Sequence, residues 1–255
     1  RPLRSLGDRC PVLKWPMLRG TVTLLESLAW GIRSLSYSAK MAGEEDEQLS
    51  DTEMAGTILV ALVLAAVLFI AIPTGAARLF HALTEDPFFL NLMEGFLRLA
   101  IFLAYIWGIS RMKDIQRTFM YHGAEHKCIN CIESGKELTV ENVRSSSRFH
   151  KRCGTSFVFV VLLISIFVFM FIRVDMRLLQ LLLRLVLIPL IAGISYEFIR
   201  LAGRSENGLV TLLSMPGLLM QRITTRDPDD DMIEVGIPFS DPLADGPGRP
   251  EAWSD

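Results

Sequence analysis

No charged residue interrupts the chain from Met54 to Ala77, and none interrupts the nineteen positions from Gly154 to Ile172, GTSFVFVVLLISIFVFMFI. A helix rises about 1.5 Å per residue, so either run is long enough to cross roughly 30 Å of hydrocarbon. Two further apolar runs, Pro87–Ser110 and Leu178–Tyr196, have the length of a span but carry Glu94 and Arg98 in the first and Arg184 in the second. Ionisable groups at that depth are costly unless paired or turned to a polar interior, and the four-residue spacing of Glu94 and Arg98 lets them meet on one helix face. The composition agrees, with 51% hydrophobic residues and a mean hydropathy of +0.36. These runs predict an all-α membrane protein of about four transmembrane helices, with an N-terminal amphipathic helix and a cytoplasmic helical hairpin.

Lys and Arg set the orientation, because cytoplasmic flanks retain positive charge. Twenty of them fall in residues 1–53, 111–153 and 200–226, against three (Arg78, Arg173 and Arg177) in the other two connections. The expectation is a multi-pass protein of the cell membrane with both ends and the central segment in the cytoplasm. Reducing conditions there keep Cys10, Cys128, Cys131 and Cys153 as thiols. The chain divides into residues 1–53, an amphipathic helix and acidic linker; residues 54–226, the membrane domain containing segment 111–153; and residues 227–255.

The first residue is Arg and no signal segment opens the chain, which reads as a truncated or excised start. Across Trp15–Tyr37, Leu18, Val22, Leu25, Ala29 and Ile32 share one face, which suits either a helix lying in the membrane interface or one packed on the protein's own bundle. After the second span, Leu99–Glu133 contains no proline, so a continuous helix is expected until Gly135 stops it. Thr139 then caps a second helix running through ENVRSSS into FHKRCGTSF. Residues 207–220, NGLVTLLSMPGLLM, are short and hold Pro216, and read as a re-entrant or surface-lying segment.

The chemistry concentrates in YHGAEHKCINC, residues 121–131. His122, Glu125 and His126 form H-x-x-E-H, which on a helix puts two imidazoles one turn apart on one face. His150 and Cys153 end the same cytoplasmic segment, so three of the four histidines and three of the four cysteines lie within residues 122–153. His122, His126, His150 and Cys153 are the candidate ligands of a divalent metal, zinc by preference, and Glu125 is the candidate base for a metal-bound water. Cys153, beside Arg152 and before a helix, has a competing reading as a nucleophile. Cys128 and Cys131 form C-x-x-C, either a ligand or redox pair or a half-buried helix face. His81 reads as a solvated loop residue. Glu197 is placed either to supply a carboxylate or to pair with Arg200 or Arg184.

YHGAEHK, ELTVENV and H-x-RCGTSF, together with WPMLRGTVTLLESLAWGIRSLSYSA, EGFLRLAIFLAYIW, SYEFIRLAG and PGLLMQRITTRDPDDDMIEV, resemble the YqhQ-like family of bacterial membrane proteins. The resemblance covers nearly all of residues 11–235. It implies a polytopic inner-membrane protein, a predicted metal-dependent enzyme, with His122, Glu125, His126, His150 and Cys153 at the family's characteristic positions. The chain departs from the pattern in HKRCGTSF, where a proline before the arginine is expected, and in lacking a glycine-rich N-terminal stretch. Further on, EVGIPFSDPLADGP, residues 234–247, is similar to the active-site loop of the tryptophan synthase alpha subunit, with Glu234 and Asp245 matching its acidic residues. That chemistry needs a whole (β/α)8 barrel, so the activity does not carry over. A gene-level chimera or an assembly artefact joined near DDDMIEV is the expected origin of this stretch. With five prolines and nine acidic residues, residues 227–255 are expected to form a disordered acidic tail.

Three functions follow as expectations. The first is a metal-dependent hydrolase acting on a peptide or ester near the membrane surface. The second is a non-enzymatic adaptor, in which a closed structural metal site holds the hairpin for a protein or peptide partner. The third is a small transporter built on Glu94, Arg98, Arg184 and Glu197. The expected partner is the lipid bilayer. Without the last 29 residues the chain holds 25 basic against 19 acidic residues, enough to favour anionic headgroups, and no motif points to nucleic acid.

Overall fold

A computed structural model describes residues 6, 10–42, 51–77, 79–80, 84–174, 176–205 and 207–240. Most of these residues are helical, and no strand occurs among them. His81 and Asp245 lie outside them.

The chain forms two compact units, one made of Ser5–Leu103 with Leu162–Tyr196, the other chiefly of Ala104–Val161 with Glu197–Asp255. In the first unit, α1 (Leu18–Ala42) is the expected amphipathic helix. Gly20 faces Tyr196 and Gly193 faces the Met17 backbone, so the start of α1 lies closely against α8 (Arg177–Arg204). Beyond that contact Leu25, Leu28, Ile32 and Leu35 stay exposed. The apolar run at 54–77 forms α2 (Asp51–Ala66), a π-helical turn (Val67–Ala71) and α3 (Ile72–Ala77). Pro73 explains the wide turn: it lacks an N–H and its ring crowds the carbonyl four residues back, which the widened turn relieves.

Among the described residues three helices are long and apolar enough to cross a membrane: Thr52–Ala76, Pro87–Ile109 and Leu178–Arg204. They are compatible with contact with a lipid bilayer. The fourth apolar run is shorter than expected, because α7 (Gly154–Phe169) ends three residues before Ile172. There Phe171 N–H bonds to Val168 O and Ile172 N–H to Phe169 O, so the last turn tightens to i→i−3 bonding. The buried charges meet as expected, with Arg98 Nη2 2.8 Å from Glu94 Oε1. Arg184 joins the same carboxylate at 2.7 Å.

The second unit holds the histidine segment. The expected continuous helix to Glu133 is instead two: α4 (Pro87–Ile109) stops, and α5 (Lys113–Glu133) starts from an extended Met112. Ser110 Oγ bonds to Trp107 O, and Arg226 Nη2 bonds to Ser110 O, so side chains cap the interrupted ladder. The stop behaves as the sequence implies. Gly135 takes φ +69°, its N–H bonds to Ile132 O, and Lys136 N–H bonds to Cys131 O, a Schellman ending. Thr139 caps α6 (Val140–Ser145) through Asn142 N–H. That helix ends at Ser145 rather than running into 149–156, because side chains of α5 capture the carbonyls that would extend it. Lys127 Nζ donates to Arg144 O and Ser146 O, and Asn130 Nδ2 to Ser147 O and Phe149 O.

Pro216 does not break its segment: α9 (Gly208–Thr224) is continuous and is capped by Asn207, whose side chain accepts from Leu209 N–H. Residues 230–240 differ from the expected disordered tail and form α10 (Asp230–Ser240). Asp230 and Asp231 favour its N-terminus, and Ile233 with Ile237, one turn apart, reach a small core of Cys128, Cys131 and Val143. The charge and proline content of 227–255 as a whole had hidden this local apolar period.

Candidate metal centre

Helix α5 sets His122 and His126 one turn apart, with ring centroids 4.4 Å apart and the rings at 66°. Each ring is held from behind. His122 Nδ1 lies 2.9 Å from Thr224 O and His126 Nδ1 lies 2.7 Å from Arg148 O. A carbonyl only accepts, so each Nδ1 carries a proton, and in the neutral ring each Nε2 holds the lone pair. The returning chain brings Cys153 Sγ to 3.3 Å from His122 Nε2. The donor atoms of His122, His126 and Cys153 all lie within 4.8 Å of one another.

This set fits a metal. Two Nε2 atoms and a thiolate around a tetrahedral zinc would stand about 3.5 Å apart from nitrogen to sulfur, close to the distance found. A backbone carbonyl behind each imidazole is the usual second partner of a metal-binding histidine. His126 and Cys153 are buried, and His122 is partly open.

The electrostatics favour deprotonated sulfur. Burial pushes the Cys153 thiol up, but hydrogen bonds from His122, His126 and Thr155 outweigh it and bring it down to about 5. Burial alone would lower His122, yet Cys153, the Thr224 carbonyl and the charge of Glu125 raise it above its ordinary value.

Not every expected residue joins. His150 is buried, but its Nε2 lies 3.4 Å from Glu133, and its ring centroid is 5.8 Å from that of His126. Burial and the neighbouring His126 lower its pKa. Glu125 is exposed and lines a hollow of about 260 Å³ with Tyr121, Ala124, Val235, Gly236 and Ser240. Its charge is felt at both His122 and His150. Cys128 and Cys131 are fully buried in the α5–α6–α10 core, the helix-face alternative for the C-x-x-C pair.

Several supporting residues escaped the sequence reading. Gln221, with no exposed surface, accepts from His150 N–H at 2.9 Å and donates to His150 O and Ser156 Oγ, both at 2.7 Å. It fixes the loop segment that carries Cys153. Thr155 Oγ1 lies 3.2 Å from Cys153 Sγ and 3.4 Å from Thr224 Oγ1. A signal for this face existed: Ser214, Gly217, Gln221 and Thr224 repeat at helical spacing as a small, polar stripe in an apolar segment, and all four are buried. Thr224 O and Arg148 O carry no such signal, since every residue offers a carbonyl.

The family described as "Protein of unknown function (DUF1385)" matches residues 15–241, a stretch that includes all of α10. The chain is 36% identical over 246 residues to the "Uncharacterized protein YqhQ" of Bacillus subtilis (strain 168), covering 89% of this chain and 76% of that protein. No solved structure matches it. The extent of the family match and this identity to YqhQ make the chain a member of the DUF1385 family.

Proposed function

We propose that this protein is a four-span, multi-pass protein of the cell membrane, with both ends cytoplasmic, that hydrolyses a peptide or ester bond at a zinc-type centre held by His122, His126 and Cys153. The observation that carries the reading is the paired anchoring of Nδ1 by Thr224 O and Arg148 O, which leaves two Nε2 lone pairs beside one thiolate. Cys153 directly precedes the apolar helix α7 in the chain, which supports a centre at the membrane surface. α7, sixteen residues with a tightened last turn, is the fourth span.

When bound, the metal supplies an activated water at near-neutral pH. The chain's own residues do the rest. The carbonyls of Thr224 and Arg148 orient the imidazoles, burial of His126 and Cys153 limits solvent, and Glu125, outside the ligand set, takes the proton of the attacking water. Three protein donors leave one position open, as catalytic zinc sites do, whereas the adaptor reading needs a fourth. His150, the other expected donor, is bonded to Glu133 instead.

A second reading rests on the 3.3 Å contact between Cys153 Sγ and His122 Nε2, which is also a thiolate–imidazolium pair of the kind used in nucleophilic catalysis. Elemental analysis of the purified protein beside a His122→Ala, His126→Ala variant separates the two. The metal reading requires about one equivalent of zinc in the wild type and loss of it in the variant. It also requires that Glu125→Gln keep the metal and lose turnover. Equal, sub-stoichiometric metal in both proteins refutes it. Activity that survives metal removal and is abolished by Cys153→Ser establishes the second.

A further inference from the structure

The first unit holds two guanidinium groups on one carboxylate. Glu94 Oε1 accepts from Arg98 Nη2 at 2.8 Å, Arg184 Nη1 at 2.7 Å and Thr74 Oγ1 at 3.0 Å, and Oε2 accepts from Arg184 Nη2 at 2.9 Å. Arg184 Nη2 also donates to Asn91 Oδ1 at 2.9 Å, and Gln180 Nε2 donates to the same oxygen at 3.0 Å. Two cations against one anion leave one positive charge among apolar helices, a costly arrangement without a counter-charge. Among the described residues no second carboxylate reaches either arginine.

The donors are also in excess. An arginine has five N–H groups, and Arg98 uses one of them, to Glu94. Arg98 Nε and Arg184 Nε are sealed and unbonded, but Arg98 Nη1, which also makes no bond, is not sealed. The two side chains keep 15% and 14% of their surface open. The polar groups form a strip leading inward from one end. Asn91 Nδ2 bonds to Ile172 O just past the end of α7, and Glu94 lies seven residues, roughly 10 Å, into α4. That depth is within reach of a headgroup phosphate drawn in by long cationic side chains.

We propose that Arg98 and Arg184, bridged by Glu94, form an anion site within the apolar helices that takes the phosphate group of a singly charged phosphate ester. A planar guanidinium with free N–H donors matches phosphate oxygens, and one net positive charge matches a monoanion. The site rests on the membrane reading above and is independent of the metal centre.

The test uses the full chain, delipidated in detergent, and measures binding of phosphatidylglycerol, phosphatidylcholine and inorganic phosphate by native mass spectrometry and thermal shift. Phosphatidylglycerol should be retained over phosphatidylcholine, and Arg98→Gln should weaken it about tenfold. Glu94→Gln raises the site's charge and should tighten binding, whereas a ligand-free structural brace would leave lipid binding unchanged. This second variant carries the test if Arg98→Gln does not fold, and circular dichroism checks both. Preferential phosphatidylglycerol retention assigns the phosphate to a lipid, whereas protection by inorganic phosphate alone, with no lipid preference, overturns a phosphate ester as the ligand. Equal binding of the two lipids by all three proteins, with no effect of phosphate, overturns the site. A chain that stays dispersed without detergent overturns the membrane reading instead, a separate outcome.

Discussion

Replacing Gly123 by alanine tests how the candidate metal centre is held without touching a candidate ligand. Gly123 lies on α5 beside His122, and the backbone at Arg226 crosses directly over it. Arg226 N–H bonds to Phe119 O at 2.9 Å. A Cβ on Gly123 would stand 3.1 Å from the Arg226 carbonyl carbon, with the carbonyl oxygen closer still. The atoms in the way are backbone, not the end of a flexible side chain, so residues 224–226 must withdraw. Overpacking of this kind costs about 1–3 kcal/mol, and loss of the Arg226–Phe119 bond adds about 1 kcal/mol. A total of about 3 kcal/mol corresponds to a fall in melting temperature of roughly 6–12 °C in a chain of this size. The withdrawing segment carries Thr224 O, the acceptor behind His122, so zinc affinity should fall about tenfold as well. Gly56→Ala, in an interior turn of α2 with nothing within 4 Å, is the control and should leave zinc affinity unchanged and stability unchanged or slightly raised, since alanine is the better helix former. Thermal melts and competitive zinc titrations read the two effects. A Gly123→Ala protein as stable and as metal-loaded as the wild type would refute the crossing of 224–226 over α5.

Three further outcomes follow from the same geometry. Gln221→Ala removes three buried hydrogen bonds and leaves His150 N–H and His150 O without partners and Ser156 Oγ with Gly217 O alone, so it should destabilise by about 2–4 kcal/mol and loosen zinc, both measurable by melting and titration. At about pH 6, Cys153 is already thiolate and His122, raised, carries its proton, so zinc uptake should displace about one proton from this pair rather than two. Calorimetry in buffers of different ionisation enthalpy counts it, and release of two protons, or of more protons as pH rises, contradicts the pairing. Ending the chain after Asp229 removes α10 and uncovers the Cys128–Cys131–Val143 core, so both thiols should become rapidly alkylated. Protection persisting in that truncated protein would mean that α10 is not what covers them.

Much of this protein is written in short-range pattern. Uncharged runs of the right length made the apolar helices predictable, because a helix satisfies its own backbone and needs only apolar side chains along it. The four-residue spacing of His122 and His126 put both imidazoles on one face for the same local reason. The stop at Gly135 and the cap at Thr139 also depend on neighbouring atoms alone. Tertiary structure decided the rest. Cys153 rather than His150 completes the candidate donor set because Glu133 takes the His150 ring and Gln221 fixes the loop backbone at His150. Both imidazoles are aimed by carbonyls of residues 22 and 102 positions away, and a carbonyl has no residue identity by which a sequence could announce it. The pairing of Glu94 with Arg98 lay within one helix turn and was legible. Its second partner, Arg184, stands 90 residues on, where only the packing of α8 against α4 brings the two together.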